Sequence, residues 1–149
     1  MPRPLALIAF LVLTVGGGAL IGLTVETGGW FSGLDKPAFN PATWIFAPVW
    51  TVLYILIGIA GWRVWRAKDK AMQGLWWLQL ALNFVWPPIF FTAHALGWAL
   101  AVIIALLAAI AGFTGLCWRR ERTAAWLFLP YLVWVAYATL LNAALWWMN

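Results

Sequence analysis

Charge is what this chain has least of. Among 149 residues there are 4 acidic and 9 basic side chains, 9% charged in all, with a single histidine, His94, and a single cysteine, Cys117. One cysteine rules out an intramolecular disulfide, and one histidine beside it is too few for a zinc site or a c-type haem attachment. Glu26 and Asp35 are the only acids of the longest polar stretch and cannot build a carboxylate metal cage. No acid lies inside an apolar run, so a nucleophile, a base and an orienting group cannot be assembled there. Hydrolytic chemistry and proton-coupled transport are both disfavoured, and the chain is not expected to be a conventional enzyme. His94 keeps two readings, an interfacial residue in a short turn or a single axial ligand to a haem.

What remains is apolar: 66% of the residues are hydrophobic and 14 are tryptophan. That composition belongs to an integral membrane protein. About 20 apolar residues cover the ~30 Å hydrocarbon core as a helix. Five stretches qualify, 5–25, 44–62, 72–93, 97–118 and 124–147, and they use up nearly the whole chain. The sequence predicts an all-α membrane protein, one domain over 1–149, built as a five-transmembrane-helix bundle. The first run is longer than the apolar core of a secretory signal, and its exit, Val25-Glu26-Thr27, lacks a small-x-small cleavage pattern; it is expected to be a true span.

The basic residues then set the orientation. With five spans, Arg3, Arg63, Arg66, Lys68, Lys70, Arg119, Arg120 and Arg122 share one side and only Lys36 lies opposite. The positive-inside rule puts the N-terminus in the cytoplasm and the C-terminus outside, which favours a bacterial inner membrane. The net charge of +5 therefore expresses topology and contact with anionic lipid, not nucleic-acid binding.

Between the first two runs lies an 18-residue connection, 26–43, with Pro37, Pro41 and several aromatics. Links between helices are usually a few residues long, so a loop of this length and composition suggests a lid. Lys36 and Asn40 precede prolines and are held extended, which stiffens its path. Gly18 and Gly22 in the first run, and Ala101, Ala105, Ala108, Ala109 and Gly112 in the fourth, are small-residue ridges that allow close helix approach, within the bundle or between subunits.

Helical spacing picks out three inward faces. Trp76, Gln79, Asn83 and Trp86 share one side of the third run, and an amide in hydrocarbon must face protein or a cavity. Pro87-Pro88 then interrupts the regular hydrogen bonding. Tyr131, Trp134, Ala138 and Asn142 share a side of the fifth run, and Trp50, Tyr54, Gly58 and Gly61 a side of the second. Rings, gaps beside them and a few amides suit a buried site for a large flat apolar ligand. Asn83 and Asn142 have the alternative of bonding neighbouring helices only. Trp44, Trp62, Trp65, Trp98, Trp118, Trp126, Trp146 and Trp147 lie near the ends of runs and fit an interfacial belt.

Three segments, WFSGLDKPAFNPATWIFAPVWTVLYILIG (30–58), QLALNFVWPPIFF (79–91) and PYLVWVAYATLLN (130–142), resemble the TspO/MBR family, the tryptophan-rich sensory proteins and translocator proteins. The resemblance runs almost end to end. It implies a five-helix bundle, commonly a homodimer, that binds protoporphyrin IX or a related tetrapyrrole and, in many members, sterol or benzodiazepine-site ligands. Carried onto this chain, the implied pocket uses Phe31 and Pro41 from the loop with Trp50, Tyr54, Asn83, Trp86, Trp134 and Ala138, to which the face pattern adds Asn142. The tetrapyrrole is a ligand, with no obligatory cofactor or metal. Porphyrin sensing, transport or regulation is the leading implication. Light-dependent porphyrin degradation, with Trp50 and Trp134 as the candidate catalytic residues, and sterol or lipid translocation are the alternatives. Family analogy also admits an outer membrane.

The chain departs from the family pattern where Phe31 replaces a usual Tyr and Phe39 a usual Trp. The animal sterol motif is incomplete, because Asn142 is followed by Ala143-Ala144 and no Lys or Arg. Arg122, Phe128 and Leu132 fit an inverted version of such a motif.

Overall fold

The computed structural model describes residues 2–25 and 28–149; Glu26 and Thr27 lie outside the described residues. Among those residues six helices form. They are α1 (Arg3–Thr24), α2 (Gly29–Ser32), α3 (Thr43–Ala67), α4 (Lys70–Pro87), α5 (Leu96–Arg120) and α6 (Arg122–Met148). Four of them, α1, α3, α5 and α6, are long and apolar enough to cross a membrane. The protein is an all-helical, multi-pass membrane protein. The expected count of five is not met by α4, whose Lys70, Gln73, Gln79 and Asn83 dilute its apolar character, although it packs among the other four rods.

Local chemistry accounts for the ends and irregularities. Asp69 caps α4 by accepting from the Met72 N–H at 3.0 Å, and Lys68 closes α3 in a left-handed conformation at φ 57°. Pro87 and Pro88 have no N–H to give, so α4 ends in a wide π turn over Pro88–Thr92, where the Ala93 N–H reaches Pro88 O at 2.9 Å. A second π segment, Val12–Gly16, lies inside α1. Its Thr14 is completely buried and donates to Tyr54 O on α3 at 2.8 Å.

The bundle has two unlike halves. Toward the end that carries the basic residues, α3, α4, α5 and α6 pack solidly through Ile57, Val64, Trp76, Ile110, Phe113 and Phe128. Lipid is as apolar as these side chains, so close fit and hydrogen bonds hold helices together in place of hydrophobic expulsion. Gly61 supplies the fit: a Cβ there would stand 2.4 Å from the Trp76 ring, and the Trp76 indole donates to Ile57 O at 2.9 Å. Two ion pairs tie the helix ends, Arg63 to Glu121 at 2.9 Å and Arg120 to Asp69 at 2.8 Å. Beside Asp69, the Met72 amide and then the Arg120 guanidinium hold its carboxyl below the usual carboxylate range.

Small residues divide their work. Gly58 lies under Thr14 and Leu11, and Gly18 under the Tyr54 ring, which brings α1 against α3. A Cβ on Gly22 would meet nothing within 4 Å among the described residues. On α5, Ala109 is buried, while Ala101, Ala105, Ala108 and Gly112 are exposed.

Candidate functional site

The opposite half of the bundle encloses a cavity of about 430 Å³. Its walls come from the C-terminal half of α1, the N-terminal half of α3, the C-terminal part of α4 and the C-terminal half of α6, with Phe31 of α2 contributing from the loop; α5 contributes nothing. None of the lining residues among those described carries a charge.

Of the residues selected from the sequence, Phe31, Trp50, Tyr54, Asn83, Trp86, Trp134, Ala138 and Asn142 all line this cavity. Pro41 does not. The loop side of the wall is made by Phe31 and Thr43 instead. Trp50 meets Trp134 edge to face with centroids 6.5 Å apart, and it also lies 5.6 Å from Tyr54 and 6.5 Å from Tyr131. Trp86 leans on Phe90 at 4.9 Å. His94 does not reach the cavity. It is exposed, at φ 56°, with its ring stacked on Trp30 at 4.1 Å, so the axial-ligand reading fails for this site.

The amides are engaged in joining helices. The Tyr54 hydroxyl donates to Asn83 Oδ1 at 2.6 Å, Asn83 Nδ2 donates to the Tyr131 hydroxyl at 2.7 Å, and that hydroxyl donates to Gln79 Oε1 at 2.8 Å. At the other end the Trp86 indole donates to Asn142 Oδ1 at 3.0 Å, and Asn142 Nδ2 to Leu96 O at 3.1 Å. Both asparagines therefore fix the wall and present little unused polarity to the cavity. The indole N–H of Trp134 differs: it is buried without a partner among the described residues.

The loop is clipped down over this end. Phe31 packs on Phe90 and Phe91 at 6.2 and 5.7 Å, and Lys36 lies 5.0 Å over its ring while donating to Ser32 O and Leu34 O. The Tyr137 hydroxyl donates to Phe39 O. Asn149 exchanges two hydrogen bonds with the Asp35 backbone, at 3.1 and 3.0 Å.

The model of the TspO/MBR family matches residues 9–148. The chain belongs to the TspO/MBR family. It is 41% identical over 123 residues to the translocator protein of Homo sapiens, covering 78% of this chain and 73% of that one. It is 35% identical over 147 residues to the tryptophan-rich protein TspO of Archaeoglobus fulgidus, and 32% over 150 to the protein CrtK of Rhodobacter capsulatus; each match covers 97% of this chain and 94% of the relative.

Residue patterns missed one side of this TspO/MBR cavity. Val15, Gly18, Ala19 and Gly22 of α1 line it, as do Phe46, Phe90, Leu141 and Leu145. The Gly18–Gly22 step was the only signal for α1, and only Gly18 bears on another helix. Six of the eight expected belt residues are exposed, while Trp62 and Trp65 are half-buried. Trp62 donates to Arg3 O at 3.1 Å, and Trp65 meets Phe10 with ring centroids 6.4 Å apart. Phe128 is fully buried against Phe113, so Arg122, Phe128 and Leu132 form no lipid-facing stripe.

Proposed function

We propose that this protein binds a porphyrin, protoporphyrin IX or a close relative, in the cavity under the loop, and that it senses, moves or regulates tetrapyrrole. The observation that carries this reading is the convergence of Trp50, Trp86 and Trp134 on one uncharged cavity covered by Phe31. Flat aromatic walls favour stacking with a flat macrocycle, and apolar burial supplies the driving force. Phe31, Trp50, Tyr54, Asn83, Trp86, Trp134, Ala138 and Asn142 are its ligand-contacting residues. Protoporphyrin IX titrated into the protein should quench tryptophan fluorescence saturably, and Trp50→Ala or Trp134→Ala should weaken it several-fold. Linear, non-saturating quenching overturns the reading.

The same proposal has α4 crossing the membrane as the fifth span, the N-terminus in the cytoplasm and the C-terminus outside, in a bacterial inner membrane. The clustering of Arg63, Arg66, Lys68, Lys70, Arg119, Arg120 and Arg122 at one end supports this. A C-terminal reporter active only in the cytoplasm should stay silent. A homodimer through the exposed Ala101, Ala105, Ala108 and Gly112 face completes it, to be read from the mass of the protein in nanodiscs.

One geometric fact favours a second reading, light- and oxygen-dependent porphyrin breakdown with indole electron donors: Trp50 and Trp134 touch each other beside Tyr131. It requires loss of the porphyrin band with a defined product, abolished by Trp50→Phe or Trp134→Phe. Equal bleaching in the variants rejects it.

A further inference from the structure

The loop end of the cavity is held by several clips, while one seam between its helices is open. On the loop side Phe31 is wedged against Phe90 and Phe91, Tyr137 holds Phe39, and Asn149 holds Asp35. The seam between α1 and α3 is different in its two halves. Near the basic end it is sealed, with Gly58 under Thr14 and Leu11 and Gly18 under Tyr54. Past Gly18 the two helices part. Ala19 and Gly22 on α1 and Thr43, Ala47 and Thr51 on α3 line the cavity, yet all five are exposed, and a Cβ on Gly22 would meet nothing within 4 Å among the described residues. A residue that is both cavity wall and outer surface marks an opening.

This opening lies between two of the helices that are long and apolar enough to span a membrane, and with both helices in a bilayer it would face hydrocarbon. Its edges make no demand for water, because Thr51 donates its hydroxyl to Ala47 O on its own helix at 2.8 Å. The apolar groove between α3 and α6, lined by Val52 and Val133, is separate: Trp134 lines both it and the cavity and stands between them.

We infer that the slot bounded by Ala19, Gly22, Ala47 and Thr51 is a lateral portal through which the ligand passes directly between bilayer and cavity, and that the ligand class is therefore a flat apolar molecule dissolved in the membrane. This rests on the reading of the cavity as a binding site. A slot lined by small side chains admits a planar molecule edge-on, and an uncharged wall imposes no cost on its apolar body. Exchange is then governed by slot width, not by opening of the clipped loop.

The test uses the full chain in lipid nanodiscs, with protoporphyrin IX as probe and stopped-flow tryptophan quenching as readout. Gly22→Phe with Ala47→Leu should slow association and dissociation together, by about tenfold or more. Tyr137→Phe, which removes one clip of the loop, and Val133→Phe, which fills the α3–α6 groove, should leave both rates at the wild-type value. Unchanged rates in the slot variant, or a several-fold acceleration in Tyr137→Phe, overturn the portal while leaving the binding site intact. Absence of saturable quenching in the wild type removes the site and the portal together. Circular dichroism at wild-type intensity shows that the slot variant is folded, and Gly22→Leu alone, with a smaller slowing expected, is the milder check.

Discussion

The phenol of Tyr54 donates to Asn83 Oδ1 at 2.6 Å, and through that bond the cavity wall is tied to a polar chain that continues to Tyr131 and Gln79 in the packed half of the bundle. Within a bilayer such links count because lipid offers no competing partner, although measured values average only about 0.6 kcal/mol and reach about 1.7. A double-mutant cycle of Tyr54→Phe and Asn83→Leu, followed by unfolding in a denaturing detergent, should give a coupling energy in that range. Asn83→Leu alone should be the more costly single change, since it also strips Tyr131 of its donor. Purely additive effects would show that the bond contributes nothing.

Trp86 and Trp134 should separate stability from binding. Trp86→Phe deletes the N–H given to Asn142 and is expected to destabilise the bundle by about 0.5–1.5 kcal/mol. Trp134→Phe removes an N–H that has no partner, so thermal stability should hold or rise. If a ligand carbonyl or carboxylate accepts from that N–H, protoporphyrin affinity falls several-fold in Trp134→Phe without loss of stability. Parallel melting curves and titrations distinguish the two positions.

Gly61 and Gly22 make an opposed pair. Gly61→Ala drives a methyl to 2.4 Å from a completely buried indole that is held by its own hydrogen bond, and overpacking of this kind costs about 1–3 kcal/mol. Gly22→Ala meets open space, and the better helix propensity of alanine makes it neutral or slightly stabilising. Equal melting temperatures for the two variants would contradict this packing.

Asp69 gives a pH signature. Its carboxyl is held low by the Met72 amide and then by Arg120, so the charged form is the one the fold favours. That contribution is fully present above the unfolded value of about 3.9 and is lost as pH falls through the depressed folded value. The melting difference between wild type and Asp69→Asn should stay constant from neutral pH to about pH 4 and shrink below it. A difference that changes between pH 6 and 8 would point to another group.

Much of the site was legible because helical periodicity is local. Trp50 and Tyr54, Asn83 and Trp86, and Trp134, Ala138 and Asn142 each share a face by spacing alone, and all of them line one cavity. Pro41, which the resemblance implied, is not among the residues lining this cavity, and a loop has no period from which to infer direction. On the α1 wall, beside Val15, Ala19 and Ile21, two glycines differ: Gly18 signals close approach and Gly22 an absence of contact among the described residues, although both are the same residue in the same helix. Whether a glycine marks a contact or a gap depends on what stands opposite. The π turn at Pro88–Thr92, by contrast, follows from two missing N–H groups that the sequence displays directly.

Composition and periodicity by themselves determined the class of the protein, a multi-pass helical membrane protein with its basic residues at one end and its amides facing inward, because hydrocarbon tolerates neither unpaired backbone nor stray charge. Only the tertiary structure decided that Asn83 and Asn142 are committed to Tyr54, Tyr131 and Trp86, that Trp134 keeps an unpartnered N–H, and that α1 and α3 seal at Gly58 but part beyond Gly18. Those outcomes turn on distances between helices far apart in the chain, which depend on how their side chains mesh and not on any one helix.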